Sequence, residues 1–177
     1  KVEILLDPGL VFGTGTHPTT RDSLEALEAA ACSKEIKTVL DLGTGTGLLS
    51  LAAARLGSRR VVAVDLNLLA AKTAVKNVKL NQLQDRVVVV QGNAKDVIGY
   101  PADLVIANIH YDVMRHLINA EGFIEKKRFI LSGLLRSEEQ QSFYYTPSYD
   151  VRHVLNAALA WQAKFGLILS ARVFSRS

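Results

Sequence analysis

The strongest constraint on this chain is an alternation that begins at Lys37. Runs rich in β-branched residues, "KTVLDL" (37–42), "RRVVAVDL" (59–66), "RVVVVQG" (86–92) and "ADLVIAN" (102–108), are separated by segments of helical or turn patterning. Strand, helix and strand in succession make a βαβ unit, and repeated units imply a parallel sheet with helices on both faces. "LLSLAAARLG" (48–57) reads as an apolar helix stopped by Gly57. "LLAAKTAVKNVKLN" (68–81) reads as an amphipathic one, with Leu69, Ala70, Val75, Val78 and Leu80 expected toward the sheet and the lysines toward water. A helix across "YDVMRHLINAEGF" (111–123) precedes a fifth strand in "KRFILSGLL" (127–135). "YDVRHVLN" (149–156) and "LAWQAKFGLILSARV" (159–173) then read as two antiparallel strands. The expectation is an α/β fold with a mainly parallel seven-stranded sheet and an antiparallel C-terminal hairpin.

The 177 residues fit one globular domain, and 49% hydrophobic with 21% charged residues predicts a sizeable core. The longest apolar runs fall well short of the roughly 18–20 residues that a membrane span needs, so no membrane association is expected. A single cysteine, Cys32, cannot form an internal disulfide, which makes the cytoplasm the expected compartment. A net charge of +4 permits an acidic partner such as nucleic acid without requiring one, because the basic residues are scattered.

In an open parallel sheet, ligands sit beyond the carboxyl ends of the strands, which directs attention to the first strand-to-helix loop. That loop is Gly43-Thr44-Gly45-Thr46-Gly47. A dinucleotide fingerprint needs its third glycine one place later, where Leu48 stands, so a nicotinamide enzyme is disfavoured. Asp65 ends the next strand, where a carboxylate can accept both hydroxyl protons of a ribose. Asp41 and Asp65 would repel a pyrophosphate and attract a cation. "QGNAKD" follows the third strand, with Asn93 and Ala94 in its loop. His17, His110, His116 and His153 lack close ligand partners in sequence, so no metal is expected.

A second glycine-threonine stretch, "DPGLVFGTGTHPTT" (7–20), precedes all of this and feeds a helix with Pro18 in its first turn and Leu24 and Leu27 on one face.

"VLDLGTGTG" and "VVAVDLN" resemble the first two motifs of the class I S-adenosylmethionine methyltransferases, a Rossmann-like fold. "DPGLVFGTGTHPTT", "VIANI", "LSGLL" followed by Gln140 or Gln141, and Trp161 resemble more narrowly the methyltransferases of ribosomal large-subunit protein eleven. The resemblance implies S-adenosylmethionine as cofactor and methyl transfer to lysine or N-terminal amines of a ribosomal large-subunit protein. It implies that Asp41, Gly43, Gly45 and Gly47 border the methionine moiety, that Asp65 holds the ribose, and that Asn93 and Ala94 flank the adenine, with an ordinary loop as the alternative for that pair. Thr20 then corresponds to a cofactor-binding threonine, and Asn108 to an asparagine near the transferred methyl. Phe12, Thr14, Thr16 and His17 are expected to wall the site, with His17 either a base or a local cap of the following helix. Residues 1–36 are read as a cofactor-covering loop and helix of the same domain as the core, 37–177, with the family's N-terminal recognition domain absent. After "ANI", His110-Tyr111 echoes the motif of amine methylators that act on bases and glutamines, which leaves a nucleic-acid base as the competing substrate; a non-catalytic cofactor-binding module is the third reading.

Overall fold

The computed structural model describes residues 2–11, 13–32, 36–123, 125–126 and 128–132. Five strands, β1 (Thr38–Leu42), β2 (Arg60–Asp65), β3 (Val87–Gln91), β4 (Leu104–Asn108) and β5 (Phe129–Ser132), form one sheet in the order β3-β2-β1-β4-β5. Every pairing is parallel, with Asp41 beside Ala63 on one side and Ile106 on the other. The seven-strand count and the antiparallel hairpin rest on residues outside the described ones.

Chain direction explains which helix covers which face. From β1 the sheet grows toward β3, then restarts on the other side of β1 at β4. Right-handed crossovers therefore put the helices before and after this reversal on opposite faces. α1 (Pro18–Ala31), α2 (Leu48–Arg55) and α3 (Leu68–Leu80) cover the face that presents Val39, Val61, Ala63, Leu104 and Ile106. α5 (Tyr111–Ile118), with Ile98 and Phe123, covers Leu40, Leu42, Val62, Val64 and Val105. The central strands β1, β2 and β4 are buried on both faces and read as nearly continuous apolar runs, as parallel sheets do. Phe123 and Phe129 stack at 4.6 Å and fasten the segment after α5 to β5.

Helix ends follow capping chemistry. Asn67 Oδ1 accepts from the Leu69 and Ala70 amides to start α3, and Asn93 caps the one-turn α4 (Ala94–Val97) in the same way. α1 begins at Pro18 as expected, with His17 as its cap. α5 stops at Ile118, short of the expected Phe123, because Ala120–Phe123 forms a turn that carries Phe123 into the core.

The buried face of α3 differs from expectation. Leu69, Val75 and Leu80 are exposed, whereas Ala71, Thr73, Ala74 and Asn77 are buried with Ala70 and Val78. The cause is close approach: a Cβ on Gly47 would lie 3.3 Å from Ala74 Cβ, so small side chains are needed where α3 meets the glycine loop. No helix of the described residues is long and apolar enough to cross a membrane.

Candidate functional site

The strand order reverses between β1 and β4, and the loops leaving β1, β2 and β4 meet there. The Gly43 and Thr44 amides donate to the Val64 carbonyl at 2.8 and 3.0 Å, which pins the loop after β1 to the end of β2. Gly47, at φ +86°, turns the chain into α2. Asp65 is held from two sides: Oδ2 accepts from the Gly45 amide at 2.9 Å and Oδ1 from the Asn67 amide at 2.9 Å. Each carboxylate oxygen has further acceptor capacity, so a fixed anion is available to a pair of hydroxyl donors.

A cavity of about 710 Å³ opens above these loops, within the usual range for small-molecule sites. Gly43, Gly45, Asp65, Asn93, Ala94, Asn108 and His17, all expected site residues, line it. The expected residues Thr20, Asp41, Gly47, Thr14 and Thr16 do not. Phe12 lies outside the described residues.

Those that do not line the cavity support its walls. Asp41 is 1% exposed and sits beneath the loop, where Oδ2 accepts from Thr44 Oγ1 at 2.7 Å and Ser50 Oγ at 2.6 Å. Burial pushes its carboxyl above the ordinary carboxylate range, against the pull of these hydroxyls. Thr20 is buried, and its Oγ1 accepts from Asn108 Nδ2 at 3.2 Å, so α1 orients the carboxamide at the end of β4. Thr14 and Thr16 turn outward and pair with each other at 2.9 Å.

His17 caps α1, with Nδ1 accepting from the Thr19 amide at 3.3 Å and 2.8 Å from Thr19 Oγ1. His110 caps α5 similarly, Nδ1 facing the Asp112 amide at 3.4 Å. Both imidazoles line the cavity.

Sequence reasoning missed most of the apolar wall: Leu10, Val11, Leu66, Leu69, Ile109 and Val113. Leu10 is 94% exposed and Leu66 is 69% exposed, both at the rim. Leu66 follows the ribose-type aspartate directly, which was an available signal; Leu10 and Val113 gave none. It also missed Asn77 of α3 and Asn81, its C-cap. An asparagine inside a helix, as Asn77 is, runs against helix propensity and marks a side chain with other work to do.

The arrangement suits a ligand that carries a diol beside Asp65 and apolar surface against the wall. Among the described residues that line the cavity there is no lysine or arginine, so an anionic group would find no counter-charge.

A family model described as ribosomal protein L11 methyltransferase (PrmA) matches residues 1–163. The ribosomal protein L11 methyltransferase of Anoxybacillus flavithermus is 44% identical over 140 residues, which are 78% of this chain and 44% of that protein. That of Desulfitobacterium hafniense is 48% identical over 132 residues, 73% of this chain and 41% of that protein. The chain thus spans less than half the length of these curated relatives. The crystal structure of a ribosomal protein L11 methylase from Lactobacillus delbrueckii subsp. bulgaricus superposes with a TM-score of 0.57 and 34% identity, covering 64% of this chain and 56% of that one. A Rossmann-like parallel sheet, a glycine loop over a buried aspartate, an acidic second strand end and a match across most of the sequence agree: the chain belongs to the ribosomal protein L11 methyltransferase family.

Proposed function

We propose that the cavity binds S-adenosylmethionine and that the protein transfers its methyl group to an amine nitrogen of a ribosomal protein; its relatives are named as ribosomal protein L11 methyltransferases. The observation that carries the reading is Asp65, fixed by the Gly45 and Asn67 amides at the rim of a cavity without lysine or arginine in its described lining. That combination fits a ribose diol and a cationic sulfonium, and it disfavours a pyrophosphate. When bound, the cofactor supplies an electrophilic methyl group; the protein's own task is to align an acceptor with it and exclude water.

Asn108 serves alignment in this reading. Thr20 engages its amide nitrogen, which leaves the carbonyl oxygen to accept a hydrogen from a target amine. A lysine amine has an ordinary pKa of about 10.4 and must reach this point neutral. The apolar side chains of Val11, Ile109 and Val113 disfavour the charged form by desolvation. The Nδ1 of His17 is engaged with the Thr19 amide, and in this reading the ring serves as the cap of α1 and part of the cavity wall.

The test is incubation with methyl-labelled S-adenosylmethionine and lysate of cells that lack the corresponding activity, followed by protease and nuclease treatment in parallel. Protease-sensitive label in one small ribosomal protein is expected. Nuclease-sensitive label would move the acceptor to a base, and cofactor binding without any transfer would refute catalysis by this chain.

A further inference from the structure

Residues 5–11 and 13–16 run along α3 and then over the glycine loop after β1, and one side chain bonds both this segment and that loop. Asn77 is fully buried. Its Oδ1 accepts from the Asp7 amide at 2.8 Å, and its Nδ2 donates to the Asp7 carbonyl at 3.0 Å and to the Thr46 carbonyl at 2.9 Å. One carboxamide therefore holds both the N-terminal segment and the glycine loop. The link is closed a second time, because Thr46 Oγ1 donates to the Gly13 carbonyl at 2.6 Å. Between these two ties, at Asp7 and Gly13, lie Leu10 and Val11 of the cavity wall.

Asn81, one turn further along α3, provides the comparison. Its side chain also makes two bonds to the segment, Oδ1 from the Leu5 amide at 3.0 Å and Nδ2 to the Leu5 carbonyl at 2.7 Å. Its third bond goes to the Asn77 carbonyl within α3, at 2.8 Å, and none of its side-chain bonds reaches the glycine loop.

We propose that Asn77 is a positioning residue for the ligand site, a buried side chain that, together with Thr46, makes a single unit of the two glycine-threonine loops. It acts at a distance from the ligand: by fixing the Thr46 peptide it sets the turn into α2, and by fixing Asp7 it sets where Leu10 and Val11 stand. The two loops then serve one ligand, and neither keeps its place when the other is released. This rests on the reading of the cavity as an S-adenosylmethionine site.

Asn77→Ala and Asn81→Ala separate this role from mere fastening of the segment, since each removes two bonds to it and leaves a buried cavity of the same size. Affinity for S-adenosylhomocysteine is measured by calorimetry, and amide exchange at residues 11 and 13–16 by mass spectrometry, both on protein verified as folded. Asn77→Ala is expected to weaken binding about tenfold or more and to accelerate exchange in residues 11–16, while Asn81→Ala stays within about threefold of the parent. Equal losses in the two variants, or unchanged affinity in Asn77→Ala, would overturn the proposal. Should Asn77→Ala fail to fold, Asn77→Asp keeps an acceptor for the Asp7 amide and loses both donations, to the Asp7 and Thr46 carbonyls, and parent-like affinity and exchange there would overturn it equally. If the parent itself binds no S-adenosylhomocysteine, the cavity reading fails, and the exchange comparison alone decides the role of Asn77.

Discussion

Replacing Gly43 by alanine probes the tightest contact in the site. Gly43 has φ +73°, a left-handed conformation that costs a residue with a Cβ about 1–2 kcal/mol. An added Cβ would stand 2.2 Å from Ile109 Cγ2, against an ordinary contact of 3.4–4 Å, so more than an ångström of separation must be found. Ile109 is β-branched and stiff at χ1, and overpacking of this kind costs about 1–3 kcal/mol. The two terms together come to about 2–5 kcal/mol, and at about 2–4 °C per kcal/mol for a chain of this length a central value of 3 means a melting point lower by about 6–12 °C. Thermal melts of the parent, Gly43→Ala, Ile109→Ala and the double variant test the division. Removing the Ile109 branch should relieve the overlap but not the backbone term, giving a favourable coupling of about 1–3 kcal/mol. A Gly43→Ala protein that melts within a degree of the parent, or a strictly additive double variant, would refute the reasoning.

Four other substitutions address the chemistry and the fold. Asp65→Asn keeps the shape but removes the charge, and should raise the dissociation constant for S-adenosylhomocysteine by about 10- to 100-fold, the range for a lost charged hydrogen bond; unchanged affinity in a calorimetric titration would sink the ribose assignment. Asn108→Ala should lower kcat by at least about tenfold with little change in cofactor affinity, and Thr20→Val should do the same more weakly by releasing the carboxamide; near-normal turnover in both would remove Asn108 from the mechanism. Asp103 Oδ2 accepts from the Lys37 and Thr38 amides and from Thr38 Oγ1 at 2.8–2.9 Å, fastening the start of β1 to β4. Burial raises its pKa, but these donors and the Arg128 charge outweigh it and hold the carboxyl below the ordinary range. Its contribution is therefore complete above the unfolded value of about 3.9 and is lost as the pH falls through the lower folded value. Asp103→Asn should cost about 1–2 kcal/mol near pH 7 and flatten the acid limb of the stability curve; parallel limbs for the two proteins would contradict the assignment.

What the sequence made legible was the part governed by backbone rules. The β-branched runs located all five described strands to within one or two residues at most ends, the central ones because a strand buried on both faces leaves a continuous apolar signature and the edge strand β3 through its run of four valines. Asp65 and the glycine loop were legible from their place after strands, and Pro18 marked the start of α1. The α3 face was misjudged because hydrophobicity ranks leucine above alanine and asparagine, whereas packing against Gly47 admits only small side chains and the N-terminal segment needs amides. The threonines of the first loop drew attention that belonged to its leucine and valine: a hydroxyl is easily satisfied by its neighbour, as Thr14 and Thr16 show, while Leu10 and Val11 are held at the cavity.

The pairing of segment and helix has its own geometric reason. Ligands bind at the carboxyl ends of parallel strands, so whatever covers them must cross over the sheet with no strand edge to pair with, and its peptide groups need partners from elsewhere. Here a helix supplies them. Four residues of α-helix advance about 6.0 Å, and two residues of extended chain advance about 6.6 Å. Asparagines four apart on α3 therefore meet peptides two apart on the segment, Asn81 with Leu5 and Asn77 with Asp7, in antiparallel sense. A carboxamide donates from one atom and accepts at another, as a strand's peptide groups do, so neither aspartate nor leucine can replace these residues in kind. The Lys76–Asp7 ion pair lies alongside, exposed, and adds little by comparison. The cover of the site thus owes its register to helix geometry rather than to the sheet, which is why no strand pattern in residues 2–11 announces it.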